Sequence, residues 1–304
     1  MTAISAKTVL LFGEVLVDIF NDRKVLGGAP FNVARHLHAF GLHPVLLTRI
    51  GDDDLSHQLL SLINSLGMDD RGIQRDALHP TGQVLVHLAE SEHRFEILPE
   101  QAYDYIHAGM AHMVSSVVCP QLLYFGTLAQ RHGISAQALA MLMQSSQAAH
   151  FLDINLRSPW YDRFTIEHSL KRANRVKINH EELEIVADML QIAGKDSMQK
   201  AAVLIKRFTL DSLWVTCGEN GAWQLDSGGN LTTVAECSSL QALQDTVGAG
   251  DGFAAVCILG LLRCWPATIT LPRANAFAAA LCSIRGAIPD SAEFYQPFAI
   301  DWKL

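Results

Sequence analysis

The stretch Asp245-Thr246-Val247-Gly248-Ala249-Gly250-Asp251-Gly252-Phe253 sets a carboxylate at the end of a Gly/Ala turn that runs straight into the apolar segment Phe253–Leu262. At a helix start, unpaired backbone N–H groups and the positive end of the helix dipole together hold an anion. Glycine has no Cβ, so the main chain can approach such a ligand closely. An aspartate at this point can take a proton from a hydroxyl as its oxygen attacks a phosphorus seated beside the turn. Asp251 is therefore a candidate catalytic base, and Gly248, Ala249 and Gly250 a candidate anion hole. Taken alone, the segment reads equally well as a Gly-rich turn with an N-capping aspartate.

Four further stretches carry suitable chemistry. Gly13-Glu14-Val15-Leu16-Val17-Asp18 ends in an acid, and Gly27-Gly28-Ala29-Pro30-Phe31-Asn32-Val33-Ala34 joins a glycine pair to an amide. A carboxylate accepts hydrogen bonds from two adjacent hydroxyls, although Asp18 by itself is an ordinary strand-end acid. Asn179 and Glu182 form N-x-x-E, which alone is a helix cap and a solvated acid. Val215-Thr216-Cys217-Gly218-Glu219-Asn220-Gly221 has the pattern V-T-x-G-x-x-G, with Cys217 read as a small buried residue.

In this order and context the motifs resemble the PfkB/ribokinase family of carbohydrate kinases, over almost the whole chain. The family's C-terminal signature is similar to D-T-x-G-A-G-D-x-F, and Asp245 to Phe253 meet every fixed position. The resemblance implies that Asp251 is the base for a sugar hydroxyl and that Gly248, Ala249 and Gly250 collect charge on the transferred phosphoryl group. Asp18, Gly28 and Asn32 would bind the sugar. Asn179 and Glu182 would position ATP phosphates and Mg²⁺, Glu182 through water, since Mg²⁺ keeps several waters. Thr216, Gly218, Gly221 and Gly250 would line the nucleotide groove, with Asn275 near the adenosine. Asp245 and the carbonyl of Val247 match part of a K⁺ site, which carbonyls around Leu281–Gly286 and the side chain of Asp290 would complete. Arg157, in Asp153-Ile154-Asn155-Leu156-Arg157, resembles the family's D-x-N-x-R stretch. It would bind substrate or form a structural ion pair.

Within the family, Gly27–Ala34, Phe95–Tyr105 and Tyr124–Ala129 look most like bacterial fructokinases, so D-fructose is the expected acceptor. The alternative acceptors are 2-keto-3-deoxygluconate, whose carboxylate Arg157 would hold, and ribose. A nicotinamide dehydrogenase is disfavoured because no G-x-G-x-x-G follows the first strand. A regulator that had lost catalysis would show damage at Asp251, the turn before it or Asn179/Glu182, and all are intact. His36 and His38 are two apart on an expected helix and do not share a face.

The bulk composition agrees with a soluble enzyme. The 304 residues are 49% hydrophobic and 18% charged, enough apolar material for a large core. A net charge of −8 with no basic stripe argues against nucleic acid as a partner. The apolar runs fall short of the ~20 residues that cross a bilayer, so no membrane partner is expected. Six cysteines without a C-x-x-C pair suggest reduced thiols in a cytoplasm. A homodimer is a mild expectation brought by the family.

Elements must place these residues together. Short apolar runs predict strands at Val9–Phe12, Val45–Ile50, Leu122–Phe125, Phe151–Ile154, Val176–Ile178 and Ser212–Thr216. Helical spacing predicts helices at Asn32–Phe40, Asp54–Leu66, Ser135–Ala149, Ser197–Phe208, Gly250–Arg263 and Leu271–Arg285. Gln83–Ala89 and Arg94–Leu98, joined by a charged turn at Glu90–His93, predict a hairpin outside this alternation. The expected architecture is an α/β fold: a ribokinase-like α/β/α sandwich with a mostly parallel central sheet and a small β lid. It forms one domain, 1–304, with the lid contributed by about 14–26 and 82–100.

Overall fold

Every residue of Thr8–Phe12 is buried, which requires helices over both faces of its sheet. The computed structural model describes residues 7–88, 93–235 and 243–304; Cys237 and most of the Glu90–His93 turn lie outside them. In chain order the strands are β1 (Thr8–Phe12), β2 (Leu16–Ile19), β3 (Lys24–Gly27), β4 (His43–Gly51), β5 (Ile73–Asp76), β6 (Gly82–Leu88) and β7 (His93–Ile97). They continue with β8 (Leu122–Phe125), β9 (Ala149–Asp153), β10 (Arg175–Asn179), β11 (Ser212–Thr216), β12 (Ala222–Asp226) and β13 (Leu231–Val234). Nine of these form one sheet in the order β13-β12-β11-β10-β9-β8-β1-β4-β5. All its pairs are parallel except those of β12 and β13, which fold back antiparallel at one edge.

Side chains alternate along a strand, and the two faces accordingly bury two apolar clusters. Leu10 and Phe12 point with Leu123, Phe125, Leu152 and Val176 toward one helical layer. That layer holds α3 (Ala108–Val118), α4 (Gly133–Ser145), α5 (Arg163–Arg172), α6 (His180–Leu190) and α7 (Ser197–Phe208). Val9 and Leu11 point the other way, toward Phe31, Leu37, Leu59 and Phe277. Here lie α1 (Ala29–Ala39), α2 (Asp54–Ser65), α8 (Ala249–Arg263), α9 (Ala267–Leu281) and α10 (Gln296–Trp302). The result is an α/β/α sandwich. Helix α8 is apolar almost all round because α1 and α9 flank it; a Cβ on its Gly252 would meet Leu281 Cδ1 at 2.2 Å.

Four strands leave this sheet to form a second one, in the order β3-β2-β6-β7. β2 and β3 pair antiparallel with Asp18 opposite Val25, and β2 runs parallel to β6 with Asp18 opposite Val84. β6 and β7 form the expected hairpin.

Several boundaries differ from expectation for local reasons. The helix read as Ser135–Ala149 is Gly133–Ser145, and Ala149 already opens β9. The helix read as Leu271–Arg285 is Ala267–Leu281 and carries Pro272 within it. Pro272 reads as a boundary because proline lacks the N–H of a helix interior. The chain leaves that helix at Cys282 and turns through Gly286 (φ 81°). Helix α1 starts three residues before Asn32, with Pro30 in its first turn, where no N–H is needed. Among the described residues no helix is long and apolar enough to cross a membrane.

Candidate functional site

The first turn of α8 is built by its own sequence. Gly248 caps the helix at φ 81°, and a Cβ there would sit 2.4 Å from Ala287 Cα, so only glycine fits. Asp245 braces the turn: one carboxylate oxygen accepts the Val247 N–H and the other the Gly286 N–H, both at 3.0 Å. Ala249 N–H reaches Thr246 O at 3.3 Å, whereas those of Gly250 and Asp251 have no backbone acceptor among the described residues. Two donors therefore face outward at the positive end of a fifteen-residue helix.

Asp251 lies in this turn, and Asn32 Nδ2 donates to its Oδ2 at 2.8 Å. Asn32 is held by α1, whose first backbone bond runs from its N–H to Gly28 O at 2.9 Å. Gly28 has φ 106°, and a Cβ on it would lie 2.7 Å from Glu14 O. The glycine pair thus lets α1 begin directly on the end of β1. Burial raises the Asp251 carboxyl above its ordinary value; Asn32, Lys177 and Arg157 pull it back without cancelling the rise.

Lys177 is a residue that motif reasoning missed. Its Nζ donates to Asp153 at 3.0 and 3.3 Å, and lies 3.1 Å from where a Gly250 Cβ would be. Tyr124 OH donates to the same aspartate at 3.2 Å. Burial works against the Lys177 charge, yet Asp153, Glu182 and Asp251 outweigh it and raise its pKa, so the cation persists beside the first turn of α8. A lysine within Arg175-Val176-Lys177-Ile178-Asn179, a strand covered by helices, was the available signal.

Asp18 is half-buried on β2, 3.5 Å from where a Gly27 Cβ would be. Burial raises it to about 6, with Arg157 pulling down. Arg157 is exposed, beyond the Asn155 bend (φ 42°), and it lowers the pKa of Glu14, Asp18 and Asp251 alike. It forms no salt bridge among the described residues; its recorded bond is from Nη1 to Leu156 O at 3.3 Å. Glu14, also missed by motif reasoning, is buried in the same cluster.

A second group lies along the neighbouring strand ends. Asn179 and Thr216 are register partners on β10 and β11. Asn179 and Glu182 form a capping box for α6: Asn179 Oδ1 accepts the Glu182 N–H at 2.8 Å, and Glu182 Oε2 accepts the Asn179 N–H at 3.0 Å. Glu182 Oε1 also accepts the Leu156 N–H at 2.8 Å, so the carboxylate is buried rather than solvated and ties the Arg157 segment to α6. Gly218 and Gly221 shape the turn into β12, where Cys217 N–H meets Gly221 O at 2.8 Å. Asn275 on α9 donates to Ala235 O at 3.4 Å, just past β13.

Both groups gather beyond the carboxyl ends of the parallel strands, where open α/β sheets bind ligands. A hollow of about 710 Å³ lined by Asp196, Lys206, Thr209 and Asp211 lies at the opposite end of β11 and contains none of these residues. A base next to free backbone donors and a buried cation is suited to moving a charged group onto a hydroxyl.

Comparison with known proteins agrees. Residues 1–293 match the pfkB family of carbohydrate kinases. Fructokinase-1 of Oryza sativa subsp. japonica is 25% identical over 316 residues, covering 93% of this chain and 94% of its own. The fold is shared with fructokinase with bound ATP from Xylella fastidiosa (TM-score 0.83, 21% identity, 98% of this chain and 99% of that one). It is shared too with a fructokinase double mutant from Vibrio cholerae O395 in its fructose-, ADP- and potassium-bound form (TM-score 0.77, 20% identity, 96% and 98%). With motifs, fold and a match that leaves out only the last eleven residues in agreement, this chain belongs to the pfkB family of carbohydrate kinases, phosphotransferases that act on an alcohol group.

Proposed function

We propose that this protein is an ATP-dependent fructokinase that passes the γ-phosphoryl group of ATP to a hydroxyl of D-fructose in the cytoplasm. The observation that carries the reading is Asp251 in the first turn of α8, hydrogen-bonded by Asn32 and flanked by the free N–H groups of Gly250 and Asp251. In this reading Asp251 takes the proton of the attacking hydroxyl. The turn Gly248–Gly250 and Lys177 stabilise charge on the transferred group. Asp18, Gly28 and Asn32 hold the sugar's other hydroxyls, and Arg157 closes over the acid cluster from the exposed side. Asn179, Thr216, Gly218, Gly221 and Asn275 seat the nucleotide along the β10–β11 edge, and the β3-β2-β6-β7 sheet serves as the lid.

Mg²⁺ fits this donor set. It asks for one or two carboxylates besides the phosphates and retains its waters, and each Glu182 oxygen keeps a lone pair beyond its backbone bond. Bound there, it would neutralise phosphate charge. K⁺ fits the turn braced by Asp245, where the carbonyl of Val247 and those following Leu281 would hold it and stiffen the anion hole; the relative from Vibrio cholerae was solved with potassium.

The test is ADP release by the purified protein with ATP across a panel of sugars including fructose, ribose and 2-keto-3-deoxygluconate. Fructose-dependent release is expected; release with none of the sugars would overturn the reading.

A further inference from the structure

Glu14 takes no part in the roles above, yet it is buried beside the same acids. It follows Gly13 at the end of β1 and is only 4% exposed. Its Oε2 is buried without a hydrogen-bond partner among the described residues, and so is Oδ1 of Asn32, the residue whose Nδ2 is committed to Asp251. Asp251 raises the Glu14 pKa and Arg157 lowers it, so the carboxyl lies within the electrostatic reach of both. The Glu14 carbonyl is also the atom against which Gly28 is packed, which fixes the residue relative to the glycine pair and Asp18.

Glu14 has a structural task, since its carboxyl takes backbone N–H groups of Glu14 itself and of Ala29 at the start of α1, but that task leaves Oε2 unanswered. Burying a polar oxygen without a partner is unfavourable, and native structures pair nearly all such atoms. Its neighbours Phe12, Val15 and Leu16 are apolar and buried, so nothing adjacent in the chain answers the remaining oxygen. Two unpaired acceptors beside a catalytic base are instead what a ligand rich in hydroxyl donors would satisfy.

We propose that Glu14 is a specificity-determining residue that hydrogen-bonds one hydroxyl of the acceptor, so that Asp18, Asn32 and Glu14 read a neutral, polyhydroxylated sugar around Asp251. The inference rests on the kinase reading and narrows its substrate class to sugars that present a hydroxyl to Glu14 beside those read by Asp18 and Asn32.

The experiment compares wild type with Glu14→Gln, using the best sugar of the panel and each of its monodeoxy analogues. The variant keeps an acceptor oxygen but trades the carboxyl for a neutral amide, and is expected to lose about 10-fold in kcat/KM for the parent sugar. For one analogue, lacking the hydroxyl that Glu14 holds, variant and wild type should perform alike, and KM for ATP should not move. A loss equal across all analogues, or none, overturns the proposal while leaving the kinase reading intact. Failure of the wild type to phosphorylate any sugar overturns both. Should Glu14→Gln not fold, a crystal structure of the wild type with its sugar decides: a sugar oxygen within hydrogen-bond distance of the Glu14 carboxyl supports the proposal, and its absence overturns it.

Discussion

In the proposed role of base, Asp251 would combine two demands that pull against each other. To accept a proton it must lose its own, yet burial raises its pKa; Asn32, Lys177 and Arg157 restore much of the balance. Replacement by asparagine keeps the shape and removes the basicity. Asp251→Asn should lower kcat by at least ~100-fold and leave ATP affinity within a few fold, measured by steady-state kinetics and nucleotide titration. Glu14 makes a separate prediction about stability. Burial lifts it from the ordinary 4.5 to about 7, so between those values the folded chain keeps a proton that the unfolded chain has released. Stability must then fall as pH rises through that window, the reverse of a salt-bridged acid, by an amount on the order of 3 kcal/mol. Chemical denaturation at pH 5 and pH 8 checks this: Glu14→Gln should flatten the decline relative to wild type. The turn Asp245–Phe253, with Gly248 capping α8 and Asp251 in its first turn, was legible in the sequence because its spacing repeats a known pattern. The parts of Glu14, Lys177 and Asp153 were not, because each gains meaning only when strand ends from distant parts of the chain converge.

At the scale of elements, the α8 turn is the part that must hold its shape. Asp245 pins it to the segment that follows α9 through the Gly286 N–H, and Gly248 leaves no space against Ala287. A cation coordinated by carbonyls on both sides would stiffen the same junction. K⁺ is therefore expected to raise kcat over a bulky organic cation at matched ionic strength and constant Mg²⁺; equal rates would remove the cation from the mechanism. Apolar runs and helical spacing placed the central strands and the long helices well. They failed where local chemistry sent the wrong signal. Pro272 read as a boundary but sits inside α9, and Ala149, which prolongs the apolar pattern of α4, is already strand. The β12–β13 hairpin and β5 stayed hidden because they are short edge elements without a strong apolar run.

For the whole molecule the open quantity is which acceptor the pocket prefers. Its acids outnumber its cations, and a site that hydrogen-bonds particular hydroxyls rejects analogues that lack them. We expect kcat/KM for D-fructose to exceed that for ribose and for 2-keto-3-deoxygluconate by at least ~10-fold, about 1.4 kcal/mol of discrimination. Arg157→Ala should slow turnover without changing the order. If 2-keto-3-deoxygluconate proves the better substrate and the variant abolishes that preference, Arg157 is a carboxylate clamp and the fructose reading falls. The sheet that carries Asp18 adds a consequence for how such preferences change hands. It is woven from two excursions of the chain, β2–β3 and β6–β7, separated by α1, β4, α2 and β5. Transplanting either excursion alone from a relative would leave β2 facing a foreign β6 along the register in which Asp18 meets Val84. Recombination between relatives can therefore exchange this surface cleanly only by carrying the whole span from β2 to β7. A chimera with both crossovers outside 16–97 should keep its partner strands matched, whereas one crossing between β3 and β6 should fold with a loosened sheet.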